Sequence, residues 1–386
     1  MGFTRSDWRL IGLAGIVTLM AGITYYGKLG GTVAPFVISA FALALLASLV
    51  GRSVEALGDR LGAGATGVVQ SALGNLPELF VVLFALKAKL YDVATASLVG
   101  SILANLLLVL GLAFLVGGIK NGPQRFQKGS ARTIAMLLVL SVSALVVPAI
   151  TFALHTPARE HERALSIVVS LLLLGLFVAS LPAALKRQKA AETPAEDAAK
   201  AEKPGAAEEP GAAGEPAEAK KPGAAEEPAG HHGPSWPLAV AIGMLAVTGI
   251  GAAFVSDWFV GGLTPAMDAM GISQAFAGLV IVAIAGNAVE NVVGIQLAAR
   301  NQSDYALQVI LQSPLQIALV VTPALVLLSP LVGASFTLVL SPLLIAVLIL
   351  AVLVTVVVVL DGESNWLEGA TLIVLYCIIA AAFWWG

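Results

Sequence analysis

Glu78 and Glu290 are the only carboxylates deep within the long apolar runs of this chain. Each closes the same phrase, Gly74-Asn75-Leu76-Pro77-Glu78 in one half and Gly286-Asn287-Ala288-Val289-Glu290 in the other. In a low-dielectric interior an isolated carboxylate takes up a proton instead of staying charged. Two such groups are neutralised equally well by two protons or by one divalent cation. Mutual exclusion of two H⁺ and one M²⁺ at the same oxygens is the minimum requirement for an antiporter. A doubly ionised, empty site would also resist reorientation, which suppresses leak.

The neighbours of the two glutamates are polar in a helical pattern. Ser71, Asn75 and Glu78 share one face, as do Ser97, Ser101 and Asn105 on the next run; the second half offers Asn287, Glu290, Asn291 and Gly294, then Gln308, Gln312 and Gln316 with Ser313 adjacent. Polar side chains in a bilayer face a bundle interior or a wet cavity, so four stripes are expected to converge on one oxygen-rich cavity. Oxygen ligands without Cys or His suit a hard cation such as Ca²⁺, carried as cargo, and nothing in the pattern asks for a cofactor. Pro77 has no N–H to give the Leu73 carbonyl, and Gly74 and Gly286 loosen their helices, so backbone carbonyls become candidate cation ligands as well. The plainer reading of Ser71, Ser97 and Gln308 is interhelical hydrogen bonding. Asp92 and Asp304 read as caps of their own helices, and Glu55 and Asp257 as solvated charge near span ends.

The elements that position these residues follow from composition. The 386 residues are 58% hydrophobic and only 12% charged, with a mean hydropathy of +0.91. That describes an all-α integral membrane protein in a lipid bilayer and sets nucleic-acid binding aside. About eleven transmembrane helices are expected, over 8–26, 32–51, 66–87, 92–119, 131–154, 163–185, 236–255, 273–299, 304–329, 334–360 and 366–385. Between the sixth and seventh lies an Ala/Glu/Pro/Gly/Lys-rich stretch in which KPGAAEEP occurs twice, read as a disordered linker over 186–235. The pair His231–His232 is taken as part of it rather than a metal site.

A shift of 212 residues superimposes the two glutamate phrases and, without a gap, also Asp92 on Asp304, Ala94 on Ala306 and Ser101 on Ser313. The equivalent hairpins start at spans three and eight, an odd number apart, which makes this an inverted-topology repeat. The expected organisation is an N-terminal transmembrane helix (1–30), a first five-helix repeat (31–185), the linker, and a second five-helix repeat (236–386). Most of the 21 Lys and Arg fall on the side of the N-terminus and linker. That side is therefore the cytoplasm and the C-terminus lies outside, the cell membrane being the expected location. Whether the protein forms a homo-oligomer is left open.

GNLPEL followed by SLVGSILANLLLVLG, and later GNAVENVVGIQLA followed by SPLQIALVVTPALVL, resemble the two signature repeats of the calcium/cation antiporter superfamily, in its cation/proton exchanger branch. The resemblance runs from about residue 30 to the C-terminus, linker excluded. It implies a Ca²⁺/H⁺ exchanger whose two motif glutamates bind Ca²⁺ and carry the protons, with carbonyls from Gly74 and Gly286 and support from Asn75 and Asn287. Three features depart from the pattern: Asn291 stands where many members have His, Gln312 replaces a Gly, and the linker is a Pro/Gly-broken, lysine-diluted version of an acidic helix. A sodium/calcium exchanger of the same superfamily is the main rival, disfavoured because Ser313 and Gln316 stand where a further carboxylate would be wanted. An intramembrane hydrolase built on paired carboxylates and a passive channel are weaker alternatives.

Overall fold

A computed structural model describes residues 3–61, 73–180 and 236–385; the side chains of 58–61, 130 and 288–290 lie outside that description. The linker, His231–His232 and Ser71 fall outside it too. The described residues are almost entirely helical. Capping chemistry starts several helices: a Thr4–Asp7 capping box opens α1 (Arg5–Gly27), and an Asn365–Glu368 box opens α12 (Trp366–Trp384). Between them run α2 (Ala34–Leu61), α3 (Leu76–Lys87), α4 (Tyr91–Asn121), α5 (Lys128–Ala153), α6 (Pro157–Ser180) and α7 (Leu238–Met270). They continue with α8 (Gln274–Gly286), α9 (Ala288–Ala299), α10 (Ser303–Val332) and α11 (Pro342–Leu360), which Ser341 caps ahead of Pro342.

Among the described residues nine helices are long and apolar enough to cross a membrane, and α8 with α9 makes a tenth if the pair is one span bent by 62°. The expected third span is described only in its second half, as α3. Three expected spans change shape. The run 273–299 breaks at Asn287. The run 236–255 continues as helix to Met270, where Gly271 ends it in the left-handed region. The run 334–360 becomes helical only at Pro342. A two-residue ribbon links the α4–α5 and α11–α12 loops, pairing β1 (Gln124–Arg125) with β2 (Glu363–Ser364).

Helices α4 and α10 form the buried centre: Ile102, Leu103, Leu106, Leu107 and Leu110 on one, and Ile310, Leu311, Ile317 and Ala318 on the other, are almost fully buried. By contrast, α1 exposes Leu13, Ile16, Leu19 and Ile23, an apolar face suited to lipid. Helix α4 also crosses α8 at backbone contact distance. A Cβ on Gly100 would run into the backbone of Leu279, and one on Gly278 would lie 2.5 Å from the Val93 carbonyl oxygen. Residues without side chains permit that approach, as in membrane helix pairs generally.

Candidate functional site

The two glutamates occupy equivalent backbone positions. Asn75 and Asn287 are the residues at which the chain leaves and re-enters helix, with φ and ψ of −93° and 19° in one and −107° and 14° in the other. Glu78 and Glu290 are each the third residue of the helix that follows. Neither asparagine side chain caps its own helix. Each reaches across to the other half instead: Asn75 Nδ2 donates to Gln316 Oε1 at 2.9 Å, and Asn287 Nδ2 donates to Ser101 Oγ at 2.9 Å. Asn287 Nδ2 also reaches the Ala283 carbonyl, at 3.0 Å.

Ser313 and Asn105 complete the network. Asn105 donates to the Ser101 carbonyl at 2.9 Å and to Ser313 Oγ at 3.4 Å, and Ser313 Oγ donates to Asn287 Oδ1 at 3.5 Å. Asn75, Asn105, Ser101, Asn287, Ser313 and Gln316 are all buried, as is Glu78 at 4% exposure. Buried polar groups in apolar surroundings are retained at a cost unless they hydrogen-bond. The Glu78 side chain lies against the second break: a Cβ on Gly286 would sit 3.8 Å from Glu78 Cβ. Gly74 occupies the turn just before Asn75. The side chain of Glu290 lies outside the description, so its place is known from its backbone alone.

Four expected contributors stand elsewhere. Gln308 and Gln312 are exposed, because eight residues of α-helix rotate about 80° past two full turns; only Gln316 and Ser313 turn inward. Gly294 packs against Ile310, with a Cβ meeting its Cγ1 at 2.5 Å, which makes it a helix contact. Asn291 is half-buried and makes no hydrogen bond through Oδ1 among the described residues. Asp92 is exposed one position inside α4, after Leu90 as N-cap, and Asp304 accepts the backbone N–H of Gln127. Each carboxylate was expected to cap its own helix; Asp304 instead holds Gln127, the residue that leads into α5. Asp257 pairs with Lys87 at 3.7 Å, and Ser97 bonds the Ala94 carbonyl within its own helix.

The 212-residue offset extends beyond the breaks. Lys89 and Asn301, in the turns after α3 and α9, share a left-handed φ of 62°. The π-helical segments Ala104–Val109 and Ile317–Val321 lie in α4 and α10, the next helix of each hairpin. Such segments disturb the regular helix ladder and are frequent at functional sites. Among these residues sequence reasoning found the network's members but not their partners, since nothing in periodicity says which half each amide addresses.

A buried carboxylate and a set of amides and hydroxyls at helix breaks in a multi-pass helical membrane protein suit ion transport, and relatives of this chain are named as transporters rather than enzymes. The chain belongs to the sodium/calcium exchanger protein family, whose pattern matches residues 32–186 and 240–385. It is similar to the Ca²⁺/H⁺ antiporter ChaA of Bacillus subtilis, 34% identical over 349 residues and covering 90% of this chain and 91% of that protein. It is 32% identical over 365 residues to the Ca²⁺/H⁺ antiporter of Synechocystis, covering 92% and 91%. The crystal structure of the selenium-substituted Ca²⁺/H⁺ antiporter protein YfkE superimposes with a TM-score of 0.75 at 29% identity, covering 98% and 99%.

Proposed function

We propose that this protein is a secondary antiporter exchanging Ca²⁺, or a related divalent cation, for H⁺ by alternating access. Glu78 and Glu290 bind the cation and the protons in turn. The observation that carries this reading is the burial of Glu78 against Gly286, at the break that leads to the second glutamate. A carboxylate there must be neutralised, and a divalent cation and protons compete for the same oxygens. Both glutamates sit in the first turn of a helix, where the positive end of the helix dipole stabilises the anion until a cation or proton arrives. The names of the Bacillus and Synechocystis relatives support the same pair of substrates.

The matched breaks, left-handed turns and π-segments support an inverted repeat whose halves meet at this site. We assign the N-terminus and residues 186–235 to the cytoplasm and the C-terminus to the outside, from the Lys and Arg distribution. The remaining members of the site are Asn75 and Asn287 as ligands or supports, Gly74 and Gly286 as carbonyl donors to the cation, and Ser101, Asn105, Ser313 and Gln316 as the polar frame. Reconstitution in vesicles with an imposed pH gradient tests the proposal. Ca²⁺ uptake should follow ΔpH and be indifferent to Na⁺; flux that needs Na⁺ and ignores ΔpH would overturn it in favour of sodium/calcium exchange.

A further inference from the structure

Far from the site, one carbonyl collects three donors. The Ala298 oxygen, in the last turn of α9, accepts the N–H of Asn301 at 3.0 Å, Asn121 Nδ2 at 3.1 Å and Gln124 Nε2 at 3.1 Å. A carbonyl has two lone pairs, so the arrangement is crowded. Two of its three donors come from the other half of the chain, from the end of α4 and the loop beyond it. Gln124 is 1% exposed, and its Oε1 has no hydrogen-bond partner among the described residues. Burying a carboxamide half-satisfied is costly, so packing alone gives no reason for a glutamine here. Space is kept for it: a Cβ on Gly117 would run into the Gln124 carboxamide. The same loop gives the Gln127 N–H to Asp304 at the start of α10. Both ends of the α9–α10 turn are thereby held by residues 121–127.

Among the described residues nothing equivalent holds the first hairpin. The carbonyl matching Ala298 at the 212-residue offset is that of Leu86, which accepts the Lys89 N–H of its own turn at 3.0 Å. Among the described residues no side-chain amide joins it. At that end of α4 the solvated Lys87–Asp257 pair ties two elements, and the first turn of α4 borders a solvent-open cleft lined in part by Tyr91, Asp92, Ser273 and Ser341.

We propose that Gln124, assisted by Asn121, is a positioning residue for the ion site. Through the Ala298 carbonyl it fixes the helix whose first turn carries Glu290, eight residues and about 12 Å further along the axis. Among the described residues one end of the molecule is thus clasped across its halves and the other is not. The inference rests on the antiport reading, because the site it tunes is the Glu78–Glu290 pair.

Gln124→Leu keeps the buried volume and removes the donor, and Gly117→Ala displaces the carboxamide while leaving Gln124 in place. In vesicles driven by ΔpH, each should raise the half-saturating Ca²⁺ concentration about fivefold, a size ordinary for remote coupling. Each should also speed amide hydrogen exchange at residues 294–299, with the unfolding temperature of the Gln124→Leu protein unchanged. Gly117→Ala combined with Gln124→Leu should be no worse than Gln124→Leu alone, since both act through one contact. The exposed Asn121→Ala should show the same effects in weaker form. Unchanged half-saturation, unchanged exchange in α9, or additive effects of the two substitutions would overturn the proposal. Wild-type vesicles that move no Ca²⁺ under ΔpH would instead refute the antiport reading, and the exchange data on α9 would still decide the clasp.

Discussion

Glu78 and Asn287 allow charge and amide to be tested separately at the proposed site. Glu78→Gln removes the charge and keeps the shape. The variant should stay folded in detergent, while ΔpH-driven Ca²⁺ exchange falls by about a hundredfold or more, beyond the roughly 10–100-fold that loss of a mere outer-shell partner costs. Retained exchange would remove Glu78 from the mechanism. Asn287→Ala acts differently. It deletes the bonds to Ser101 Oγ and the Ala283 carbonyl, leaves Ser313 without its acceptor and costs about 1–3 kcal/mol of stability. Here unfolding temperature and exchange rate should fall together, and loss of exchange with or without loss of stability separates ligand from support. That Glu78 deserved singling out was legible from its residue type, since an ionisable group in an apolar run needs a reason, and the structure buries it. That Asn75 would address Gln316, 241 residues away, was not, because no local pattern encodes a partner in the other half.

Helices carry the next level of constraint, and their glycines are the sharpest test. Gly100 meets the backbone of Leu279 rather than a movable side chain, so a methyl group there must push α4 and α8 apart. Overpacking of that kind costs about 1–3 kcal/mol or more. Gly100→Ala should lower the unfolding temperature and impair exchange, whereas Gly129→Ala, with nothing within 4 Å of the added carbon, should do neither. Equal behaviour of the two would mean that the close crossing is not needed. Apolar length located most spans within a few residues, as for the run 92–119 and the observed Tyr91–Asn121. It failed at α8 and α9, where hydropathy carries on across Asn287 while the backbone turns. Gly286 hinted at the break, but a lone glycine in an apolar run has several uses. The π-segments were illegible for the same reason: Ile317–Val321 reads as any apolar stretch, and its backbone is set by packing. Gln308 and Gln312 misled because an i, i+4 stripe drifts around the helix, and only the packed structure decides which member faces inward.

At the scale of the whole molecule the two ends are built differently, and the contacts establish which residues share an end. At one, Asp7 at the start of α1 accepts from Arg52 Nη1 at 2.6 Å and from Trp236 Nε1 at 3.3 Å. At the other, Trp258 Nε1 donates to Tyr26 at 3.2 Å, next to the Asp257–Lys87 pair. Helix α4 starts just beyond Lys87 and runs 31 residues to Asn121, about 46 Å at 1.5 Å per residue. Lys28 and Lys87 therefore belong to one face of the membrane, and Arg125 to the opposite one. The basic residues cluster on the Arg125 face, so the proposed orientation puts that face in the cytoplasm. In a Cys377→Ser background, Lys28→Cys should react with a membrane-impermeant maleimide added to intact cells. Arg125→Cys, whose parent side chain is 81% exposed, should react only after permeabilisation. Labelling in the reverse order would invert the orientation and put the Gln124 clasp outside. Labelling of both from one side would break the path of α4 itself, and with it the proposed inverted repeat, in which the two glutamate helices take opposite courses through the bilayer.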